Sequence, residues 1–219
     1  MTSNTLNQLK FVIKSHRKSS ETLSVESLKI DKKLYAHVKR AKYLSDPIMT
    51  LRYALSEANI PGIALEFGVY SGRTLQIISE VYPNETYGFD SFDGLPEFWR
   101  DGFPKGTFKL ESIPDVANSR IYKGLFQDTL KSFMNQNKSN IAFIHLDADL
   151  YSSTKFFLTQ LNESIMPGTI ILFDEFMNYP SFTEHEYRAY LEWCNEFGRE
   201  CIPIAYTDWH EQMAFKVVF

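Results

Sequence analysis

The 219 residues hold only two cysteines, Cys194 and Cys201, close together and without histidines at metal-ligand spacing. Neither a disulfide framework nor a cysteine–histidine metal centre is implied, and two free thiols fit a reducing cytoplasm. Long apolar runs are missing as well. No stretch approaches the roughly 20 residues that a membrane-spanning helix requires, and the polar N-terminal stretch lacks the apolar centre of a signal peptide. Basic runs are short: the densest, Lys14 to Lys18, reads as a solvated helix face, and the net charge is −4. A phosphate backbone would find no footprint here, so nucleic acid is not an expected partner. Repeats and low-complexity tracts are also absent. A cytoplasmic protein with neither membrane nor nucleic-acid partner is the expectation.

What is present is ordinary globular composition, 44% apolar and 23% charged, with 18 Phe and 12 Tyr. So many rings imply a thick core or an aromatic-lined cleft. Residues 1–60 are read as a helical N-terminal extension, serving as a lid or to pair subunits into a homo-oligomer. Leu28, Leu34, Val38, Tyr43 and Leu44 approximate its apolar stripe. Asp46-Pro47 reads as an N-cap followed by proline at the first helical position, opening a helix through Ala58.

From residue 61 the pattern changes to short apolar runs at 63–67, 86–89, 120–122, 141–146 and 169–173, with helical stretches at 74–81, 129–137 and 153–164. That alternation is the mark of βαβ units and a parallel sheet. Pro167-Gly168 reads as the turn into the fifth strand. A helix at 184–197 precedes two last strands, 201–206 and 213–219. Five parallel strands and a terminal hairpin predict a seven-stranded, mostly parallel α/β sheet, Rossmann-like and closer to a class I methyltransferase than to a six-stranded dehydrogenase. The 61–219 segment is read as that one domain. Residues 91–119 are too long and turn-rich for a plain connection. Their aromatic content, Phe92, Phe98, Trp99, Phe103 and Phe108, points to a wall or lid over a ligand cleft, with a surface excursion as the plainer alternative.

The run LEFGVYSGRT at 65–74 follows the first of these strands and opens a helix. Gly68 and Gly72 let the backbone turn sharply. Glu66 would repel a pyrophosphate but suits the ammonium of an amino-acid-like ligand, directly or through water. Asp90, ending the second strand, is placed to accept hydrogen bonds from ribose hydroxyls. Together these point to an adenosyl ligand, with Tyr70, Ser71, Thr74 and Ser91 in the same turns. Gln127 and Asp128 are in reach of an adenine amine, although Asp128 fits a helix cap equally well. The first turn has no phosphate-cradling glycine triplet, which sets a dehydrogenase aside.

The fourth strand ends in Asp147-Ala148-Asp149 and the fifth in Asp174-Glu175. Parallel neighbouring strands bring all four acids to one edge of the sheet, where open α/β folds bind ligands. Such crowding calls for a cation or for protons, and hard oxygen ligands favour magnesium or calcium. The plainer alternative is helix capping, for example by Asp149. His145 would share a face with Asp147 and is read as a hydrogen-bonded core residue. His185 is read as a surface or capping residue, or a substrate contact.

The segments at 65–74, 88–96 (GFDSFDGLP), 124–130, 145–154 (HLDADLYSST) and 167–176 (PGTIILFDEF) resemble the macrocin O-methyltransferase family. The resemblance implies an S-adenosylmethionine-dependent, magnesium-assisted O-methyltransferase of small molecules, among them sugars and glycosylated natural products. It implies Asp147, Asp174 and Glu175 as metal ligands, Asp147 also beside the cofactor, and Asp149 as general base. Glu175 stands where sugar-modifying members carry Asp, and the 178–194 stretch differs from theirs, so the acceptor need not be a glycoside. Two competing expectations are a metal-independent methyltransferase with His185 as base, and a non-catalytic adenosyl-binding protein.

Overall fold

The computed structural model describes residues 38–207 and 211–219. Leu28 and Leu34, and the lid or pairing role expected of the N-terminal helices, lie outside the described residues. The elements are β1 (Lys42–Tyr43), α1 (Pro47–Glu57), β2 (Ile63–Phe67), α2 (Arg73–Val81), β3 (Thr86–Asp90), β4 (Ser119–Lys123), α3 (Phe126–Gln136), β5 (Ile141–Leu146), α4 (Tyr151–Gln160), β6 (Ile165–Phe173), α5 (Glu186–Phe197), β7 (Cys201–Thr207) and β8 (Gln212–Val217). They build one sheet in the order β1-β7-β8-β6-β5-β2-β3-β4. Every neighbouring pair is parallel except those made by β8, which runs against β6 and β7.

The α/β class, the mostly parallel sheet and the terminal hairpin are as expected. The strand count is not: the described residues form eight strands rather than seven. The helical reading of residue 43 fails because Tyr43 pairs in parallel with Tyr206 of β7, with ring centroids 5.5 Å apart. A chain breaks out of helix where Asp46 adopts φ −139° and ψ 132° and its Oδ1 accepts the Ile48 and Met49 N–H groups. Such a cap is worth about 1 kcal/mol. It starts α1, whose Leu51, Ala54 and Leu55 pack with Ile170, Leu172 and Ala205 of the sheet. Pro167 and Gly168 lie inside β6, in a register irregularity, rather than in a turn before it.

Strand β2 is buried at all five positions because both sheet faces are covered. Ile63, Leu65 and Phe67 face one core, where Phe67 stacks on Phe157 of α4 at 3.9 Å and on Phe89 at 5.0 Å. Ala64 faces the other core with Phe143. Chain order runs outward from β2 to β3 and β4 on one side, then crosses to β5 and β6 on the other. The β2/β5 boundary is therefore the switch point at which a crevice opens above the strand ends. The long connection between β3 and β4 folds back on itself, with the Leu95 N–H on the Thr107 carbonyl and the Gly106 N–H on that of Leu95. Leu95, Trp99, Phe103 and Leu150 form its own small core. Cys194 and Cys201 are free thiols. No helix among the described residues is long and apolar enough to cross a membrane.

Candidate active site

A cleft of about 580 Å³ opens above the β2/β5 switch point, within the size range of small-molecule sites. Gly68, Tyr70, Asp90, Ser91 and Gln127 line it, as do Asp147, Asp149, Asp174 and Glu175. The β3–β4 connection supplies much of the remaining wall, including Leu95, Trp99, Arg100, Phe103 and Phe108.

Gly68 is where the geometry is tightest. Its φ is +94°, and a β-carbon there would fall 1.6 Å from the carbonyl oxygen of Asp147. Hydrogen bonds from Gly68 N–H to Phe89 O (3.0 Å) and from Asp147 N–H to Phe67 O (2.9 Å) hold the turn between β3 and the end of β5. Asp90 braces the other side: its Oδ2 accepts the Tyr70 N–H at 2.8 Å and its Oδ1 the Phe92 N–H at 2.7 Å. The grip holds Tyr70 at φ 44° and Phe92 at φ 59°. Each carboxylate oxygen keeps a further lone pair for a ligand in the cleft.

Five of the predicted cofactor residues do not reach the wall: Glu66, Ser71, Gly72, Thr74 and Asp128. Glu66 is fully buried beneath it, and its Oε1 lies 2.8 Å from Nδ1 of His145. Burial raises its pKa, while His145 and the nearby Thr74 hydroxyl pull it down. Asp128 is exposed in the first turn of α3 and does not cap it; Leu125 occupies the N-cap position.

The acids gather as expected, by a less regular route. Strand β5 ends at Leu146, so Asp147 to Leu150 form a loop rather than an extended continuation. Asp149 sits at φ 62°, a left-handed conformation uncommon outside glycine, asparagine and aspartate. It does not cap α4, whose N-cap is Leu150 without a side-chain bond. Ligand atoms of Asp147, Asp149 and Glu175 lie within 4.8 Å of one another, and those of His145, Asp147 and Asp174 form a second such group. Burial and mutual repulsion push Asp147 and Glu175 well above the usual carboxylate range. Burial also raises Asp149, against the pull of the Arg100 charge, to about 7.

Three residues outside the predicted set hold this floor together. Glu186, buried in the first turn of α5, accepts the Glu175 N–H on Oε2 (3.1 Å) and the Thr154 hydroxyl on Oε1 (3.4 Å). Its spacing from Tyr190 and Trp193 on the apolar face of α5 was a usable signal. Gln212 at the start of β8 donates through Nε2 to Asp174 Oδ1. Arg100 pairs with Glu211 at 3.0 Å and packs over the rings of Trp99 (4.0 Å) and Tyr179 (4.3 Å). No local pattern announces either of these two contacts. His185 is half-buried beside Trp99 and Tyr179, outside the cleft wall. Burial and the Arg100 charge lower its pKa.

Residues 38–193 match the model of the macrocin-O-methyltransferase (TylF) family. The chain belongs to that family. Within reach of this macrocin-O-methyltransferase family member is a demethyldecarbamoylnovobiocin O-methyltransferase of Streptomyces niveus, 25% identical over 166 residues, or 63% of this chain. The match spans about 62% of the length of that curated relative. CalS11, a calicheamicin methyltransferase, shares the fold with a TM-score of 0.64 at 18% identity, over 99% of this chain and 93% of its own. A structure described as cmcI-D160 Mg-SAM is similar at a TM-score of 0.52 and 14% identity, over 80% and 73%. The architecture is thus the α/β methyltransferase fold.

Proposed function

We propose that this chain transfers the methyl group of S-adenosylmethionine to a hydroxyl of a small-molecule acceptor, with a divalent cation at its acid cluster. One juxtaposition carries the reading: Asp147, Asp149, Asp174 and Glu175 share a single cleft with Gly68, Tyr70, Asp90 and Gln127. Family membership supports the reaction, and the cmcI neighbour is described with magnesium and S-adenosylmethionine. A sugar or glycosylated natural product is the acceptor class favoured by the relatives.

The donor set suits a hard cation. Carboxylate oxygens of Asp147, Asp149 and Glu175 lie within 4.8 Å of one another, Asp174 groups with Asp147 and His145, and no cysteine stands among them. Asp147, Asp174 and Glu175 would hold the ion, which when bound polarises acceptor oxygens and lowers the pKa of the reacting hydroxyl. The methyl donor supplies a sulfonium whose carbon–sulfur bond breaks to leave a neutral thioether.

The chain's own groups do the rest. Gly68 and Tyr70 shape the turn against which the amino-acid end of the donor rests, and Asp90 offers its free lone pairs to the ribose. Gln127 stands toward the adenine end. Asp149, beside Asp147 and Glu175, takes the proton as the acceptor oxygen bonds to the methyl carbon. Trp99, Phe103 and Phe108 shield the attack from water. Alignment of oxygen, carbon and sulfur supplies much of the acceleration.

The test is calorimetric titration of the protein with S-adenosylhomocysteine, first with magnesium and then with EDTA. Saturable binding with a magnesium-dependent component is the expected outcome. No binding under either condition would sink the methyl-transfer reading, and activity indifferent to EDTA would sink the cation.

A further inference from the structure

His145 stands opposite Glu66 in the β2/β5 register, and its side chain is fully buried. Nδ1 lies 2.8 Å from Glu66 Oε1. Nε2 stands 3.5 Å from Asp174 Oδ1, in ion-pair range though without a well-formed hydrogen bond. Asp174 belongs to the acid cluster at the cleft floor, whereas Glu66 lies under the Gly68 turn. One imidazole therefore touches the acid behind the donor turn with one nitrogen and an acid of the cation site with the other.

The strand geometry explains the bridge. Glu66 and His145 are direct cross-strand partners, and Asp174 lies two residues past Leu172, which pairs with His145. Alternation along a strand puts all three on the same sheet face. Here a polar line of three residues is sealed beneath the ligand cleft, on the face that elsewhere packs Ala64, Phe143 and Leu172. A core built only for stability would fill these positions with apolar groups of similar volume at no loss.

We propose that His145 is a positioning residue that anchors Glu66 beneath the Gly68 turn through Nδ1, and so sets the turn against which the cofactor rests, and that orients Asp174 for the cation through Nε2, an inference that rests on the methyltransferase reading above. The two duties use different atoms, so they are separable. An asparagine amide nitrogen occupies nearly the place of Nδ1, and a glutamine amide nitrogen nearly that of Nε2. His145→Asn keeps a donor toward Glu66 and removes the one toward Asp174; His145→Gln does the reverse.

The experiment titrates wild type and both variants of the whole chain separately with S-adenosylhomocysteine and with magnesium chloride. His145→Asn is expected to bind the nucleoside within about twofold of wild type while losing about tenfold or more in magnesium affinity, the size typical of groups that orient metal ligands. His145→Gln is expected to show the opposite pattern. A residue with a merely structural role would weaken both ligands together in both variants, and that uncrossed pattern overturns the proposal, as does unchanged binding. Should either variant misfold, nitrogen-15 spectra of histidine-labelled wild type decide. Magnesium is expected to move the Nε2 resonance of His145 and S-adenosylhomocysteine the Nδ1 resonance; signals unmoved at saturation overturn the inference. Wild type that binds neither ligand overturns the methyl-transfer reading and this inference with it. Wild type that binds both without the crossed pattern overturns this inference alone.

Discussion

Arg100 and Glu211, 111 residues apart in the chain, form an ion pair at 3.0 Å that ties the β3–β4 connection to the residue just before β8. The guanidinium is sandwiched by Trp99 and Tyr179, and its partner sits next to Gln212, which holds Asp174. The wall of the cleft and its acidic floor are therefore fastened at adjacent residues.

Arg100→Gln should loosen that wall. The side chains are only 12% and 10% exposed, so breaking this mostly buried ion pair costs about 3 kcal/mol. In Arg100→Gln and Glu211→Gln, thermal unfolding is expected to fall by about 6–12 °C, and the double variant should lose much less than the sum. Strict additivity would show that the pair does not act as one.

Gly68 tolerates no β-carbon. Gly68→Ala is expected to lose more than about 4 kcal/mol or to fail to fold, because the added carbon meets the Asp147 backbone. Gly106 has a similar φ, +86°, but nothing within 4 Å of a β-carbon. Gly106→Ala should therefore lose only the roughly 1–2 kcal/mol of left-handed strain. Equal destabilisation of the two, measured by denaturant unfolding, would contradict the close contact.

Stability should fall as pH rises. The folded-state pKa of Asp149 is raised to about 7, and Asp147 and Glu175 are raised well above the normal range. Protons on these acids bind the folded chain more tightly than the unfolded one. Their stabilisation is fully present below about pH 4, the unfolded value, and for Asp149 is lost as pH climbs through 7. Without metal, unfolding temperature is expected to be lower at pH 8 than at pH 6. Added magnesium should raise it more at pH 8, since ligands bind deprotonated. A magnesium effect larger at pH 6 would count against these acids as ligands.

Asp149→Asn should separate chemistry from folding. Asparagine tolerates the left-handed backbone at this position and removes one charge from a repelling cluster. The variant is expected to be as stable as wild type or more so at pH 8, to bind S-adenosylhomocysteine normally, and to lose at least about 10²-fold in methyl transfer. Retained turnover would remove Asp149 as the base.

Much of this site was written locally. Glycines after an apolar run, acids at the ends of two others, and an Asp-Pro cap are decided within a few residues, and the chain folds them as those rules require. Period and composition likewise announced the parallel sheet, because strands buried on both faces need unbroken apolar runs. A two-residue strand carries no such period, so Tyr43 read as helix until β7 offered it a partner.

The destination of each polar side chain was a different matter. Glu66 looked like a cleft-facing acid, yet a cross-strand histidine draws it beneath the floor. Glu186, Gln212 and the Arg100–Glu211 pair became site residues only when distant segments met. Asp149 turns toward the cluster through a left-handed backbone that no local pattern signals. The sequence by itself determined which of the longer strands would form and that acids and glycines would stand at their ends, since backbone preference and apolar periodicity act over short range. Only the tertiary structure decided which acids share a cleft, which are buried and what holds each one, because burial and charge interaction depend on neighbours that the chain order does not bring together.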